Sequence, residues 1–268
     1  MDFSEASVLI RFFNEIDLFL IIFVRILGFL IIVPVLSTAN IPGQVKTAAA
    51  AVIAWLIFIS GKVSPVVYDE SVAGFVIMAV KEFLTGFAAG FVVNLIFSVF
   101  YFVGQMIDYQ IGFAMVSILD PLSQIQVPIT GNMLYLFITV ILVASGGLNA
   151  FLSAFFYSYD VLPVGASVLT DNPTLMVYMS DVMVRFLLIG VSVSMPVVGA
   201  ILVLDVALGV LVKAVPQMNI FVVGMPVKVF IGLIVFMLIM PLLGSVYNLV
   251  FEESFKNIVN VIDGMAPR

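Results

Sequence analysis

The stretch from Gly104 to Pro128 is apolar enough to lie at membrane depth, yet it carries Gly104, Asp108, Gly112, Asp120, Pro121 and Pro128. Gly104, Asp108 and Gly112 recur at every fourth position and share one face wherever the chain is helical. Asp120-Pro121 and then Pro128 stop any helix. Irregular backbone survives at membrane depth only when protein buries it or when it lines a water-filled cavity. The stretch therefore reads as a re-entrant or pore-facing loop; an ordinary interfacial connection between two spans is the plainer alternative. Phe113 and Met115 lie inside it. Adaptable Met and Phe side chains either seal an irregular opening or simply pack against lipid and core.

Seven charges interrupt otherwise apolar blocks: Arg25, Lys81, Glu82, Asp108, Arg185, Asp205 and Lys228. A charge facing lipid at the bilayer centre costs about 3 kcal/mol or more, so such residues face a protein interior or a cavity. Assembly contacts are the commoner use and a transport relay the rarer one. Asp181 and Arg185 stand four apart and can neutralise each other along one helix. Lys81 and Glu82 are adjacent and cannot face the same way, so one of them is expected to reach another helix. Arg25 and Asp205 lack a local partner, and contacts to other helices or other subunits are expected for both. Gly86-Phe-Ala-Ala-Gly90 permits close helix packing, as does the run Ala48 to Ala51.

Several chemistries are excluded outright. The chain has no Cys and no His, which removes thiolate, disulfide and histidine-relay chemistry and the usual zinc sites. It has no phosphate-binding glycine loop, no nucleophile elbow and no convincing carboxylate pair. An enzyme is not expected, nor a cofactor or a metal. The net charge is −6, from 10 basic and 16 acidic residues. Without a basic run, nucleic acid is not an expected partner.

These residues need elements to hold them, and the composition says which. Of the 268 residues, 63% are hydrophobic and only 10% charged, with a mean hydropathy of +1.29. Soluble domains average about 25% charged residues. This much apolar surface needs a bilayer or a large apolar assembly to cover it. The blocks 16–36, 45–60, 72–103, 133–157, 182–212 and 220–250 have the length and continuity of membrane helices. A β-barrel would alternate with period two instead. The third and fifth blocks are long and are expected to tilt, kink or form hairpins.

The linkers 61–71 and 160–181, with Pro65, Pro163, Gly165 and Pro173, read as aqueous loops. Residues 252–268 form an amphipathic tail, with Phe255, Ile258, Val259 and Ile262 at helical spacing. Basic residues stand singly at most block ends, Lys46, Lys62, Lys213 and Lys256 among them, and orient the chain poorly; the tail is expected in the cytoplasm. Asp2 and Glu5, with no small-residue cleavage site after the first apolar run, argue against a secretory signal. The expectation is a single all-α integral membrane domain over 1–268, built of long bent apolar helices and helical hairpins. Its irregular central loop covers about 104–128.

Motifs along most of the chain resemble the FliR family of export-gate proteins in type III secretion systems. They are Arg25, Gly28 and Pro34; Pro42 and Lys46; Gly104, Asp108, Gly112, Asp120 and Pro121; Gly146-Gly147 with Pro163 and Gly165; Asp205; Pro216-Gln217-x-Asn219-x-Phe221; and Pro226-x-Lys228. The Pro-Gln-x-Asn element is the most distinctive, and the order and spacing of the set carry the resemblance.

The resemblance implies a subunit that joins FliP-like and FliQ-like partners, and a FlhB-like one, in the inner membrane of the flagellar basal body. Part of that assembly would sit on the periplasmic side. It implies a channel for unfolded flagellar proteins closed by a plug, here Gly112 to Ile125, with Gly112, Phe113, Met115, Asp120, Pro121 and Ile125 in it. It leaves Arg25, Gly104, Asp108, Arg185, Asp205, Pro216, Gln217, Asn219 and Lys228 as assembly residues. It also implies that an apolar helix here is buried by a neighbouring subunit as readily as by lipid. A stand-alone transporter, and the equivalent subunit of a virulence-type system, remain the alternatives.

Overall fold

The computed structural model describes residues 15–33, 41–61, 63, 71–113, 128–166, 173–217 and 219–265. Among them there is no strand. The helices are α1 Ile16–Ile32, α2 Gly43–Ser60, α3 Val72–Ile111, α4 Ile129–Ala144, α5 Gly147–Val161, α6 Pro173–Ala214, α7 Ile220–Ile239 and α8 Leu243–Met265. A single 3-10 turn, Met240–Leu242, stands between α7 and α8. Four stretches are long and apolar enough to cross a membrane: Gly43–Ser60, Val72–Ile111, Val177–Ala214 and Val222–Met265. Counted together as one span, the broken pair α4 and α5 would be a fifth. The protein is an all-α membrane protein.

Local chemistry sets the helix ends. Ser71 caps α3, its hydroxyl accepting the Gly74 N–H at 3.0 Å. Gly61 ends α2 in the left-handed region at φ 66°, where glycine avoids a Cβ clash. Three boundaries differ from the sequence expectation. The third block runs on through Gly104 to Ile111 as one helix of 40 residues, because glycine inside a helix is tolerated where a neighbour's backbone comes close. The fourth block breaks at Ser145-Gly146, with Gly146 at φ 73°. The presumed loop 160–181 is helical at both ends, because α5 runs to Val161 and Pro173 opens α6 instead of interrupting it. Proline suits the first helical position, where its missing N–H costs no hydrogen bond.

The described residues group into two compact units. The first draws on Met1–Leu95, Leu148–Val182 and Glu253–Arg268. In it α1 and α2 pair through Phe19, whose ring meets Trp55 and Phe58 edge-on at 6.2 and 6.3 Å. α1 crosses α3 at very short range. A Cβ on Gly86 or Gly90 would strike the α1 backbone at Arg25 and Phe29, and one on Gly28 would strike the Phe83 carbonyl. The Gly86-x-x-x-Gly90 spacing thus serves an actual close crossing.

The end of α8 also belongs to this unit. Its buried face is Ser254, Asn257, Ile258, Val261, Ile262 and Met265, while Phe255 is exposed. The amphipathic tail is therefore the last part of a longer helix; Ile258 and Ile262 are on its buried face as expected, while Val259 is half-buried and Phe255 gives way to Ser254, Asn257 and Val261. The Tyr178 hydroxyl holds that face to α6, donating to Asn257 Oδ1 at 2.6 Å and accepting from Asn260 Nδ2 at 3.0 Å.

The second unit draws on Ile96–Gly147 and Met183–Glu252. Val92 and Val93 belong to the first unit; here Phe97, Phe100, Val103, Leu134, Ile138, Leu142, Val197, Ile201 and Tyr247 are buried. The break after α4 is packed from α8. Tyr247 Oη lies 2.8 Å from Ser145 Oγ, and a Cβ on Gly147 would meet Leu142, Phe251 and Tyr247. Much of α6 and α7 leaves large apolar side chains uncovered, among them Val203, Val206, Phe230, Met237 and Leu238.

Candidate functional site

The central loop emerges from a stem that the structure defines closely. Gly104 on α3 faces Gly131 on α4, and a Cβ on Gly104 would overlap the Gly131 backbone. One turn further along α3, Asp108 is buried, with 4% of its surface exposed. Both its carboxylate oxygens accept the Thr130 N–H, at 3.2 and 3.0 Å. That N–H lies in the first turn of α4, where backbone donors have no intrahelical acceptor and the helix dipole favours an anion. The Gly-x-x-x-Asp spacing thus puts a backbone contact and a cap on the same face of α3.

α3 then ends. The Gly112 N–H closes the last turn on the Asp108 carbonyl at 3.1 Å, and Gly112 adopts φ 101°. Phe113 is half-buried just beyond. Met115, Asp120, Pro121 and Ile125 lie outside the described residues. The chain re-enters at Pro128, buried at the start of α4, whose carbonyl accepts the Asn132 N–H at 2.9 Å. Gly104 to Ile111 is therefore helical stem, and irregular backbone begins only at Gly112.

Arg25 builds a second polar cluster, within the first unit. It and Glu82 are fully buried, and the guanidinium Nε donates to Glu82 Oε2. Nη1 and Nη2 each donate to the Leu162 carbonyl at 3.1 Å. The Tyr159 ring lies under the guanidinium, 4.4 Å from centroid to Cζ. Glu82 Oε1 accepts the Gly165 N–H at 2.7 Å, and the Tyr159 hydroxyl donates to the Ile22 carbonyl at 3.3 Å. Gly165, at φ 83°, is the third residue of a turn closed by Ala166 N–H to the Pro163 carbonyl at 3.1 Å; a positive φ there favours glycine. The cluster joins α1, α3, α5 and the turn after it. Lys81, next to Glu82, is exposed.

The remaining charges lie nearer the surface. Lys228 on α7 pairs with Asp205 on α6, with 28% and 35% of the two side chains exposed. Arg185 and Asp181 are both exposed on successive turns of α6 and make no ion pair among the described residues. The local neutralisation expected of them is not seen among the described residues. Pro216, Gln217 and Asn219 are exposed in the connection between α6 and α7, where the Asn219 carbonyl accepts the Val222 and Val223 N–H groups at 3.2 and 3.3 Å. Sequence reasoning missed Thr130 and Gly131 as the other half of the stem, and Tyr159 as the aromatic partner of Arg25. A glycine in the first turn after Pro128 was the one available sign of a close approach; nothing in the sequence pointed to Tyr159.

Residues 16–254 match the model of the family described as bacterial export proteins, family 1. The chain is 26% identical over 246 residues to the flagellar biosynthetic protein FliR of Bacillus subtilis, covering 91% of this chain and 94% of that one. It is 29% identical over 238 residues to FliR of Aquifex aeolicus, covering 88% and 90%. It is 27% identical over 221 residues to the surface presentation of antigens protein SpaR of Shigella flexneri, covering 81% and 84%. With the family match spanning nearly all of its helices, the chain belongs to the bacterial export proteins, family 1.

Proposed function

We propose that the chain is a non-enzymatic subunit of a flagellar type III export gate in the bacterial inner membrane. It assembles there with FliP-like and FliQ-like subunits and a FlhB-like one, with part of the complex on the periplasmic side. Unfolded flagellar proteins are the cargo. The segment Gly112 to Ile125 closes the channel at rest, with Gly112, Phe113, Met115, Asp120, Pro121 and Ile125 in the closing loop. Arg25, Gly104, Asp108, Arg185, Asp205, Pro216, Gln217, Asn219 and Lys228 hold the chain and its contacts in shape.

The carrying observation is the family match over residues 16–254. The stem geometry supports the closing loop: the irregular segment starts at a glycine with φ 101°, between two helix ends joined by Asp108 and Thr130. A channel for unfolded chains must be shut against ions, and a loop that opens with glycine deforms at low steric cost. The uncovered apolar faces of α6 and α7 suit a chain buried by partner subunits as well as by lipid.

Co-purification of the tagged chain from its native membrane in mild detergent, with mass spectrometry of the bound proteins, tests the assembly. A discrete complex with FliP-like and FliQ-like proteins is expected; a chain alone or as a homo-oligomer would move the transporter reading forward. Deleting 112–125 in the assembled complex is expected to produce an ion leak, and a complex that stays tight would remove the closing-loop assignment. The second reading is the same role in a secretion system other than the flagellar one. The similarity to SpaR favours it, and the partners recovered decide between the two.

A further inference from the structure

We propose that Ser98, Tyr101, Gln105 and Tyr109 form a water-facing track on α3, along which an unfolded polypeptide in transit is held by exchangeable hydrogen bonds. The inference rests on the reading of the chain as an export-channel subunit, and it names the surface that the cargo touches.

The outward stripe of α3 changes character along its length. Steps of three and four residues keep Ala73, Val76, Val80, Leu84 and Phe87 on one exposed line. All of them are apolar, as lipid requires, and Lys81 lies off to the side. Phe91 continues the line, half-buried. From there on every residue of the line is polar and none is charged: Asn94, Ser98, Tyr101, Gln105 and Tyr109. Ser98, Tyr101 and Tyr109 are exposed and Gln105 is half-buried. The opposite side of the same turns is oily and packed, through Phe100, Val103, Ile107 and Ile111.

Neither hydrocarbon nor headgroups suit such a line. Among the described residues the side chains of Tyr101, Gln105 and Tyr109 make no hydrogen bond, and hydrocarbon offers them no partner. Tyrosine is common at membrane surfaces. Tyr101 and Tyr109, however, stand about 12 Å apart along the helix, more than the headgroup layer of about 5–8 Å on each side. Nor is polarity general in this unit. The uncovered face of α4 is apolar throughout, with Ile129, Met133, Leu136 and Val140. The polar stripe of α3 therefore meets surroundings of its own.

Its chemistry selects the occupant. An extended chain offers a backbone donor and acceptor at every residue, about every 3.3 Å. The Tyr and Ser hydroxyls and the Gln amide each both donate and accept, so they can meet whichever group passes. Without a charge, the track neither repels nor traps cargo of one sign. The polar face of a partner subunit is the competing occupant, and the test separates the two.

The chain has no Cys, so single cysteines report cleanly. Ser98→Cys, Gln105→Cys and Tyr109→Cys are compared with Val76→Cys, Val80→Cys and Leu84→Cys, each in the full chain within its membrane complex. A charged, membrane-impermeant thiol reagent reacts only where a thiolate meets water. Labelling is expected at the three polar positions and not at the three apolar ones. A photoreactive amino acid in place of Tyr101 or Tyr109 is expected to join the chain to an export substrate stalled in transit. Export by the Tyr101→Phe, Gln105→Leu, Tyr109→Phe triple variant is expected to fall several-fold with assembly intact.

Unlabelled polar positions, or photoadducts with partner subunits alone, overturn the track. Where the triple variant fails to assemble, the single cysteines and the photoadducts decide. A chain recovered without partner subunits would sink the export reading itself, and the labelling would still tell a wet stripe from a covered one.

Discussion

Gly104 and Gly131 meet across the crossing of α3 and α4 so closely that a Cβ on Gly104 would overlap the Gly131 backbone. The contact lies one turn from the Asp108 cap, and together they make the base of the central loop. A glycine here is a matter of space and not of backbone angle.

Substituting Gly104 by Val should therefore push the two helices apart. Overpacking of this kind costs about 1–3 kcal/mol, and more where the obstacle is backbone. A drop of several degrees in the thermal midpoint of the detergent-solubilised complex is expected. Gly43→Ala, at a position with open space around it, should leave the midpoint unchanged or slightly raised. Equal effects from the two variants would contradict the packing account.

Gly112 separates angle from space. Nothing crowds its Cβ position, yet its φ is 101°. Gly112→Ala should cost about 1–2 kcal/mol through backbone strain alone, and Gly112→Asn less, because Asn tolerates positive φ more readily. Ranking the two by chemical unfolding, with Gly104→Ala beside them, checks whether strain or crowding governs each site.

The Arg25–Glu82 pair is fully buried, and each end also meets a backbone group near the turn at Pro163 to Ala166. Removing one partner leaves an uncompensated charge, worth about 3–5 kcal/mol. Arg25→Leu and Glu82→Leu should each destabilise strongly, and the double variant should recover a substantial part of the loss. A double variant as unstable as the sum of the singles would mean that the pair itself contributes little. Gly165→Ala should also destabilise, because it strains a turn whose N–H is bonded to Glu82.

Asp205 and Lys228 form the contrasting case. Their pair is about one-third uncovered by this chain, so lipid or a partner subunit completes its surroundings, and it ties the chain's own helices less than the fully buried Arg25–Glu82 pair does. Asp205→Leu should therefore insert and fold nearly as the native chain does, with its defect appearing in recovery of partner subunits. Pull-down yield set against total membrane-inserted protein measures the difference. Normal partner recovery would assign this pair no part in assembly.

The long apolar runs made the helical membrane class legible, because continuous hydropathy over such lengths leaves few other solutions. The every-fourth spacing of Gly104, Asp108 and Gly112 showed that one face of that segment was special. It did not show that the segment stays helical to Ile111, because a glycine or a buried Asp in a helix is explained only by the facing helix. Pro173 was misread for a related reason: a proline that breaks a helix and one that begins it differ only in what precedes them. In the last helix Ile258 and Ile262 are buried as expected, but Phe255 is more apolar than Asn257, and only the bond from Tyr178 to Asn257 reveals why the amide is buried and the ring is not. Lys81 and Glu82 had to face apart, but only the neighbouring Arg25 reveals which one turns inward.

The length of α3 has a consequence for the life of the chain in the cell. α3 has 40 helical residues, twice the roughly 20 that cross the hydrocarbon core. Tilts of up to about 40° do not absorb that excess. A newly made copy without neighbours would hold oily helix outside the bilayer, where chaperones and membrane proteases find it. Its abundance should accordingly follow the supply of its neighbours, and surplus copies should be cleared instead of stored.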